Sequence, residues 1–266
     1  MKSYIKKPNN SKLTSIIESY WYLYDEKNLK LILPPELSND LIINLKPPTK
    51  FYNNKDSCIL YDNYVSGVRS TFYKVEQYSQ IEIFGIRFKP WAFSLFFNIP
   101  SKGLINKFIS INNIESNELI TLNNNLNEIQ EFNKKESFLD DYIIDNFKLN
   151  NDKTALLSEI NYLIDTNTGL SVKELSNKIG YSVISIERLF SKYVGITPKQ
   201  FIRISRYNKI WSLINNPKYN SWADICYEFD YFDQSHFIKE FKEYTGMSPE
   251  KYMKNRNLTL DIYYSE

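Results

Sequence analysis

The sequence of 266 residues predicts an α+β protein: an antiparallel β barrel or sandwich with helices, then an all-α part in which two helical units are joined by a spacer helix. Three observations lead there. Up to about residue 89, short runs rich in β-branched and aromatic residues alternate with turn clusters. Beyond that point the hydrophobic period becomes helical, and the last hundred or so residues repeat themselves at a distance of about 50 positions.

The strand-like runs are residues 16–24, 29–33, 40–45, 58–68, 71–77 and 80–88. Pro34-Pro35, Pro47-Pro48, Asn53-Asn54 and Ser79 divide them, supplying residues that turns favour and central strands exclude. Pro90 then stands where a first helical turn begins, and Trp91, Leu95 and Phe96 follow at helical spacing, with Ile99-Pro100 as the stop. Residues 113–132 and 137–147 continue as amphipathic helices. The polar, non-periodic stretch at residues 148–153 marks a boundary, which gives parts at 1–150 and 151–257 and a tail at 258–266.

Beyond the boundary, Leu156, Leu157, Ile160 and Ile164 form one stripe that ends at Gly169. Ser171, with Glu174 three positions later, is a capping box for a helix over residues 172–179. Residues 173–201 (KELSNKIGYSVISIERLFSKYVGITPKQF) match residues 223–252 (ADICYEFDYFDQSHFIKEFKEYTGMSPEKY), with one residue inserted before the second long helix. Leu175 meets Ile225, Tyr181 meets Tyr231, Phe190 meets Phe241, Tyr193 meets Tyr244 and Pro198 meets Pro249.

Each copy reads as a short helix, a tight turn and a longer helix. Gly180 and Asp230 take the turns, since both residue types tolerate a left-handed backbone. Ile186, Leu189, Phe190 and Tyr193 are expected inward in the first long helix, and Phe237, Ile238, Phe241 and Tyr244 in the second. The opposite faces carry hydroxyl, amide, imidazole and cationic groups, which suit base edges and phosphates. A helix over residues 198–214 fixes the distance between the copies.

Composition narrows the alternatives. Hydrophobic residues make up 42% and charged residues 24%, a globular balance, and the net charge is only +2, so a basic footprint has to be local. A single histidine, His236, and two cysteines, Cys58 and Cys226, leave no histidine-rich or cysteine-rich metal site, and no disulfide framework. No Gly-rich phosphate loop is present, and no catalytic residue, cofactor or metal is expected. Apolar stretches are too short for a bilayer and the N-terminus has no apolar signal core, so a cytoplasmic location is expected. Cys226 reads as a small packing residue, Glu82 and Arg87 as exposed strand charges, and Trp91, Phe93, Phe96 and Phe97 as core.

The last hundred or so residues resemble the AraC/XylS family of bacterial transcription regulators, carried by the segment DQSHFIKEFKEYTGMSPEKY and by both Gly-x-[Ser/Thr]-Pro endings. Three positions depart from that pattern: Cys226 replaces a small Ala, Asp230 replaces the turn Gly, and Met253 stands where an Arg commonly follows the Tyr. More weakly, Gly85-Ile86-Arg87-Phe88-Lys89-Pro90-Trp91-Ala92-Phe93 resembles part of the β-rich, cupin-like domain that precedes the module in some AraC-like proteins.

The resemblance implies a sequence-specific regulator whose double helix-turn-helix reads two adjacent major-groove segments of promoter DNA. Ile184, Ser185, Glu187 and Arg188, then Gln234, Ser235, His236 and Lys239, are the expected base-reading residues. Lys192, Lys199, Arg203, Arg206, Lys242 and Lys251 are expected at phosphates. A small-molecule effector or a second copy of the chain fits the N-terminal part, and RNA polymerase is a further partner such regulators admit. Two other classes stay open at this point: an enzyme with a catalytic barrel, and a protein-binding adaptor.

Overall fold

The computed structural model describes residues 2–26, 29–46, 48–53, 55–77, 80–146, 152–215 and 221–254. The chain begins with nine strands: β1 (Lys2–Lys6), β2 (Ile17–Asp25), β3 (Leu29–Leu33), β4 (Asn39–Asn44), β5 (Thr49–Tyr52), β6 (Ser57–Leu60), β7 (Tyr64–Ser66), β8 (Tyr73–Gln77) and β9 (Ile81–Phe88). Two short helices, α1 (Ala92–Phe97) and α2 (Ser101–Leu104), lead to β10 (Phe108–Ser110). All pairings are antiparallel and form two sheets, one in the order β1-β2-β9-β4-β7-β10 and the other β3-β8-β5-β6.

The larger sheet is covered on both faces, which explains why its strands read as nearly unbroken apolar runs. Trp21, Leu23, Ile42, Ile81 and Ile83 point to one side and meet Leu31, Leu33, Phe51 and Val75 of the smaller sheet. Their alternates, Tyr20, Leu41, Ile43, Phe84, Ile86 and Phe88, point to the other side and meet helices. Gly85 faces Trp21 across β9 and β2, and a Cβ there would lie 1.9 Å from the indole, so no side chain fits. The helices over the second face are α3 (Asn117–Glu128), started by the Ser116 side chain, and α4 (Phe132–Asn146). Tyr20 donates to Asp140 of α4 at 2.5 Å, tying sheet to helix in the buried layer.

Several elements differ from the sequence expectation. The run 58–68 is two strands, β6 and β7, which turn into different sheets. Strands β1, β5 and β10 went unread: β1 is a largely exposed, lysine-bearing edge, and the other two are four and three residues long. Arg87 is buried, not an exposed strand charge; it grips Asp40 through two contacts of 3.1 Å and lies 3.6 Å from Glu36. Burial pushes the Glu36 carboxyl above its ordinary pKa, against the opposing pull of Arg87. Glu82 instead meets the Tyr22 hydroxyl at 3.4 Å.

The second half is helical: α5 (Asp152–Thr166), α6 (Val172–Ile179), α7 (Val183–Tyr193), α8 (Pro198–Asn215), α9 (Trp222–Glu228), α10 (Gln234–Thr245) and α11 (Pro249–Lys254). Much of the expected boundary at residues 148–153, and the whole tail at 258–266, lies outside the described residues. The apolar core does not stop between the halves. One buried cluster runs from Leu13, Phe88 and Phe97 through Leu157 and Ile160 of α5 to Phe190, Trp211 and Phe241.

Candidate nucleic-acid interface

Each repeat folds as the short helix, turn and long helix that the sequence predicts. In the first unit the Ser171 hydroxyl accepts from the Glu174 amide at 3.2 Å, while the Glu174 carboxylate accepts from the Ser171 amide at 2.8 Å. That is the expected capping box, which satisfies two otherwise orphaned N–H groups. Gly180 ends α6 in the left-handed region at φ 74°, and Ser182 caps α7 by accepting from the Ser185 amide. In the second unit Ser221 caps α9, Asp230 takes the turn at φ 54°, and Asp233 caps α10 by accepting from the His236 amide at 2.7 Å.

The two long helices bury one face each. Ile186, Phe190 and Tyr193 line that of α7; Phe237, Phe241 and Tyr244 line that of α10. Helix α8 provides the shared wall. Phe190 meets its Phe201 edge-on at 5.3 Å, while Tyr207 packs on Tyr244 at 4.9 Å and on Phe241 at 5.9 Å. Ile238 departs from expectation: it is 41% exposed, because it lies at the margin of the buried stripe rather than within it.

All eight residues expected to read bases are exposed: Ile184, Ser185, Glu187 and Arg188 on α7, and Gln234, Ser235, His236 and Lys239 on α10. The Ser185 hydroxyl shares a 2.8 Å hydrogen bond with Ser182, and the His236 ring stands edge-on to Tyr231 at 5.3 Å. Lys192, Lys199, Lys242 and Lys251 are exposed as well. The Lys192 ammonium lies 5.2 Å from the centre of the Tyr193 ring.

Arg203 and Arg206, expected at phosphates, are only partly exposed and converge on Glu240, which is buried on α10. Arg203 reaches it at 3.1 Å and reaches Glu243 at 3.2 Å; Arg206 holds both Glu240 oxygens at 3.1 Å. Tyr231 donates to the same carboxylate at 2.9 Å, and the Arg206 guanidinium stacks 4.1 Å from the Tyr231 ring. Burial, reinforced by the Glu240 charge, holds the Tyr231 hydroxyl protonated well above the ordinary phenol range. These arginines fasten the spacer helix to the second long helix.

Sequence reasoning also missed two exposed aromatics. Phe232 is 93% exposed and Tyr227 is 92% exposed, both in the second unit. Phe232 is the residue inserted before the second long helix, so the break in the repeat was the signal that could have found it. A face like this offers an apolar contact of the kind a thymine methyl group accepts.

The first long helix is docked on the N-terminal half. Ser94 of α1 and Ser101 of α2 each donate to the Lys192 carbonyl at 3.4 Å. At Gly195, just past α7, a Cβ would lie 2.8 Å from Ile105 and 2.9 Å from the Ser101 carbonyl carbon, so the backbones touch there.

Fold and face together define a two-part protein, a β sandwich joined to a tandem helix-turn-helix module with two outward polar helices. Comparison with known proteins narrows this. Residues 160–255 match a profile described as a helix-turn-helix domain, and residues 7–110 match one described as a domain of unknown function. The stretch that matches the helix-turn-helix description runs from within α5 to α11 and holds both units.

Among its sequence relatives are proteins named as regulators. The Msm operon regulatory protein of Streptococcus mutans is 24% identical over 58% of this chain and 56% of its own length. The transcriptional activator AarP of Providencia stuartii is 28% identical over 38% of this chain and 75% of its own. The uncharacterized regulator YidL of Escherichia coli is 33% identical over 32% of this chain and 28% of its own length. The match therefore spans less than two thirds of YidL and of the Msm protein. The crystal structure of ToxT from Vibrio cholerae superposes over 88% of this chain and 98% of its own with a TM-score of 0.50 at 13% identity, a likeness of fold. A second ToxT structure, with an unsaturated fatty acid bound, superposes equally well, with a TM-score of 0.50.

Proposed function

We propose that the chain is a sequence-specific DNA-binding transcription regulator, with residues 1–150 as sensor or pairing part and residues 151–257 as the reading part. The observation that carries this is the face built by α7 and α10. Each helix buries its apolar stripe against α8 and turns its hydroxyl, amide, imidazole and cationic groups to solvent. Ile184, Ser185, Glu187, Arg188, Gln234, Ser235, His236 and Lys239 are the base-reading set, and Lys192, Lys199, Lys242 and Lys251 the phosphate set. A protein of this kind acts in the cytoplasm and needs no catalytic group. Among the described residues no helix is long and apolar enough to cross a membrane.

The test is binding of the full chain to its own upstream DNA, followed by selection from a randomised duplex library. Arg188→Ala and Gln234→Ala should each relax base preference at a different place, with about 1 to 3 kcal/mol of discrimination resting on each bidentate pair. The two places should lie about 10 base pairs apart, one turn of the duplex. If both variants keep the wild-type preferences and lose only overall affinity, base reading moves to the other residues of the set.

A small-molecule effector in the sandwich is part of this reading. A cavity of about 30 Å³ between the sheets is lined by Trp21, Leu31, Phe51, Ile83 and the buried Arg69. It has room for water-sized occupants only, so an effector has to part the two sheets. The fatty-acid complex of the similarly folded ToxT supports an apolar ligand. A thermal-shift screen checks it, because a ligand of the folded form raises the melting temperature.

A further inference from the structure

A wide cleft of about 940 Å³ separates the outward side of α10 from one end of the smaller sheet, at the β5–β6 turn and the start of β8. One wall carries Lys239, Lys242 and Lys251; the other carries Lys55 and Lys74, which belong to the N-terminal part. Two carboxylates share the cleft, Asp56 and Glu243, and Glu243 already faces Arg203 at 3.2 Å. Among the described residues, Lys55, Lys74, Lys239 and Lys242 make no ion pair. The cleft therefore presents more positive charge than it neutralises.

Lys55 and Lys74 are held on ordered backbone. The Asn53 side chain accepts from the Lys55 and Asp56 amides at 2.8 Å, which closes the turn between β5 and β6. Lys74 pairs with Tyr52 across β8 and β5, its ammonium 5.8 Å from the Tyr52 ring. Both lysines are exposed, as are Lys239 and Lys242 opposite. Exposed ammonium groups strung along two walls of an open cleft do not enclose a small anion. They suit a long polyanion that keeps its own water.

We propose that Lys55 and Lys74 bind phosphates of the same duplex that α10 reads, so that the β sandwich contributes directly to the DNA footprint. This rests on the reading of α7 and α10 as recognition helices. Lys239 and Lys242 sit on the outward face of α10, opposite the buried Phe237, Phe241 and Tyr244. A duplex seated against that face runs its backbone past the mouth of the cleft. Two lysines on the far wall then meet phosphates that the helical module alone does not reach.

The experiment compares the full chain with Lys55→Gln/Lys74→Gln in fluorescence anisotropy on labelled upstream duplex, over a series of salt concentrations. The double variant should bind every sequence more weakly with unchanged base preference, and its slope of log affinity against log salt should shrink by up to about two. Between 50 and 200 mM salt the wild type should lose about ten-fold more affinity than the variant. Lys55→Arg/Lys74→Arg should bind like the wild type. An unchanged affinity and slope overturns the proposal, and so does tighter binding by the glutamine variant, which would make the sandwich an obstacle to DNA. Failure of the wild type to bind any duplex would instead defeat the underlying reading of function.

Discussion

The two helix-turn-helix units share a pattern of sequence and are held by different forces. The first depends on apolar packing: Ile186, Phe190 and Tyr193 press on α5, α6 and α8, and the end of α7 rests on α1 and α2 of the other half. The second adds an electrostatic clamp, in which two arginines and a tyrosine converge on the buried Glu240. Its equivalent in the first unit, counted back from Phe241 and Phe190, is Leu189, which is half-buried and apolar. A duplicated sequence thus keeps its helices and exchanges the interactions that fix them.

The widest gap between the units should appear on deleting the clamp. Glu240→Ala takes the carboxylate from Arg206 and Tyr231, leaves Arg203 only its contact with Glu243, and should cost about 3 to 5 kcal/mol in urea unfolding. Leu189→Ala, at the corresponding position of the first unit, should cost less, about 1 to 2 kcal/mol, since it removes half-buried apolar area only. Equal costs would remove the distinction.

Next in size are the caps, which should make the units look alike. Ser171→Ala breaks the capping box of α6, and Asp233→Ala removes the acceptor that starts α10; each should cost about 1 kcal/mol in thermal unfolding. A cost near zero at only one of them would show that its helix is positioned by tertiary packing alone.

The smallest effect concerns the turns. Gly180 reaches φ 74° without a side chain, whereas Asp230 holds φ 54° with one. Asp230→Gly should therefore raise stability by about 0.5 kcal/mol, as left-handed strain is relieved and part of the gain is returned as chain entropy. A loss of stability would mean that the Asp230 carboxylate does something in the second turn that geometry alone does not require.

Local signals were legible in the chain. The capping box at Ser171 and Glu174, the turns at Gly180 and Asp230 and the spacer from Pro198 depend on residues within a few positions of one another, and each stands where expected. Charges that pair across the fold were not. Arg203 and Arg206 lie more than thirty positions from Glu240, and at helical spacing they look like solvated cations until α8 and α10 are laid together. Arg87 deceived in the same way, since Asp40 reaches it only through the pairing of β4 with β9. For the interface, the outward faces of α7 and α10 followed from periodicity, but the cleft lysines Lys55 and Lys74 lie on a turn and a strand that carry no periodic signal toward DNA.

The buried cluster that runs without interruption from Phe88 and Phe97 through Leu157 to Phe190 and Trp211 has a consequence for descent. A reading module with its own closed core can be cut out by recombination and joined to any partner domain. Here such a cut would strip apolar side chains of α5 and α7 bare, so an exchanged N-terminal half has to arrive with a matching surface at α1 and α2. The two halves of this chain are therefore expected to have diverged together, each substitution at their seam answered by another across it.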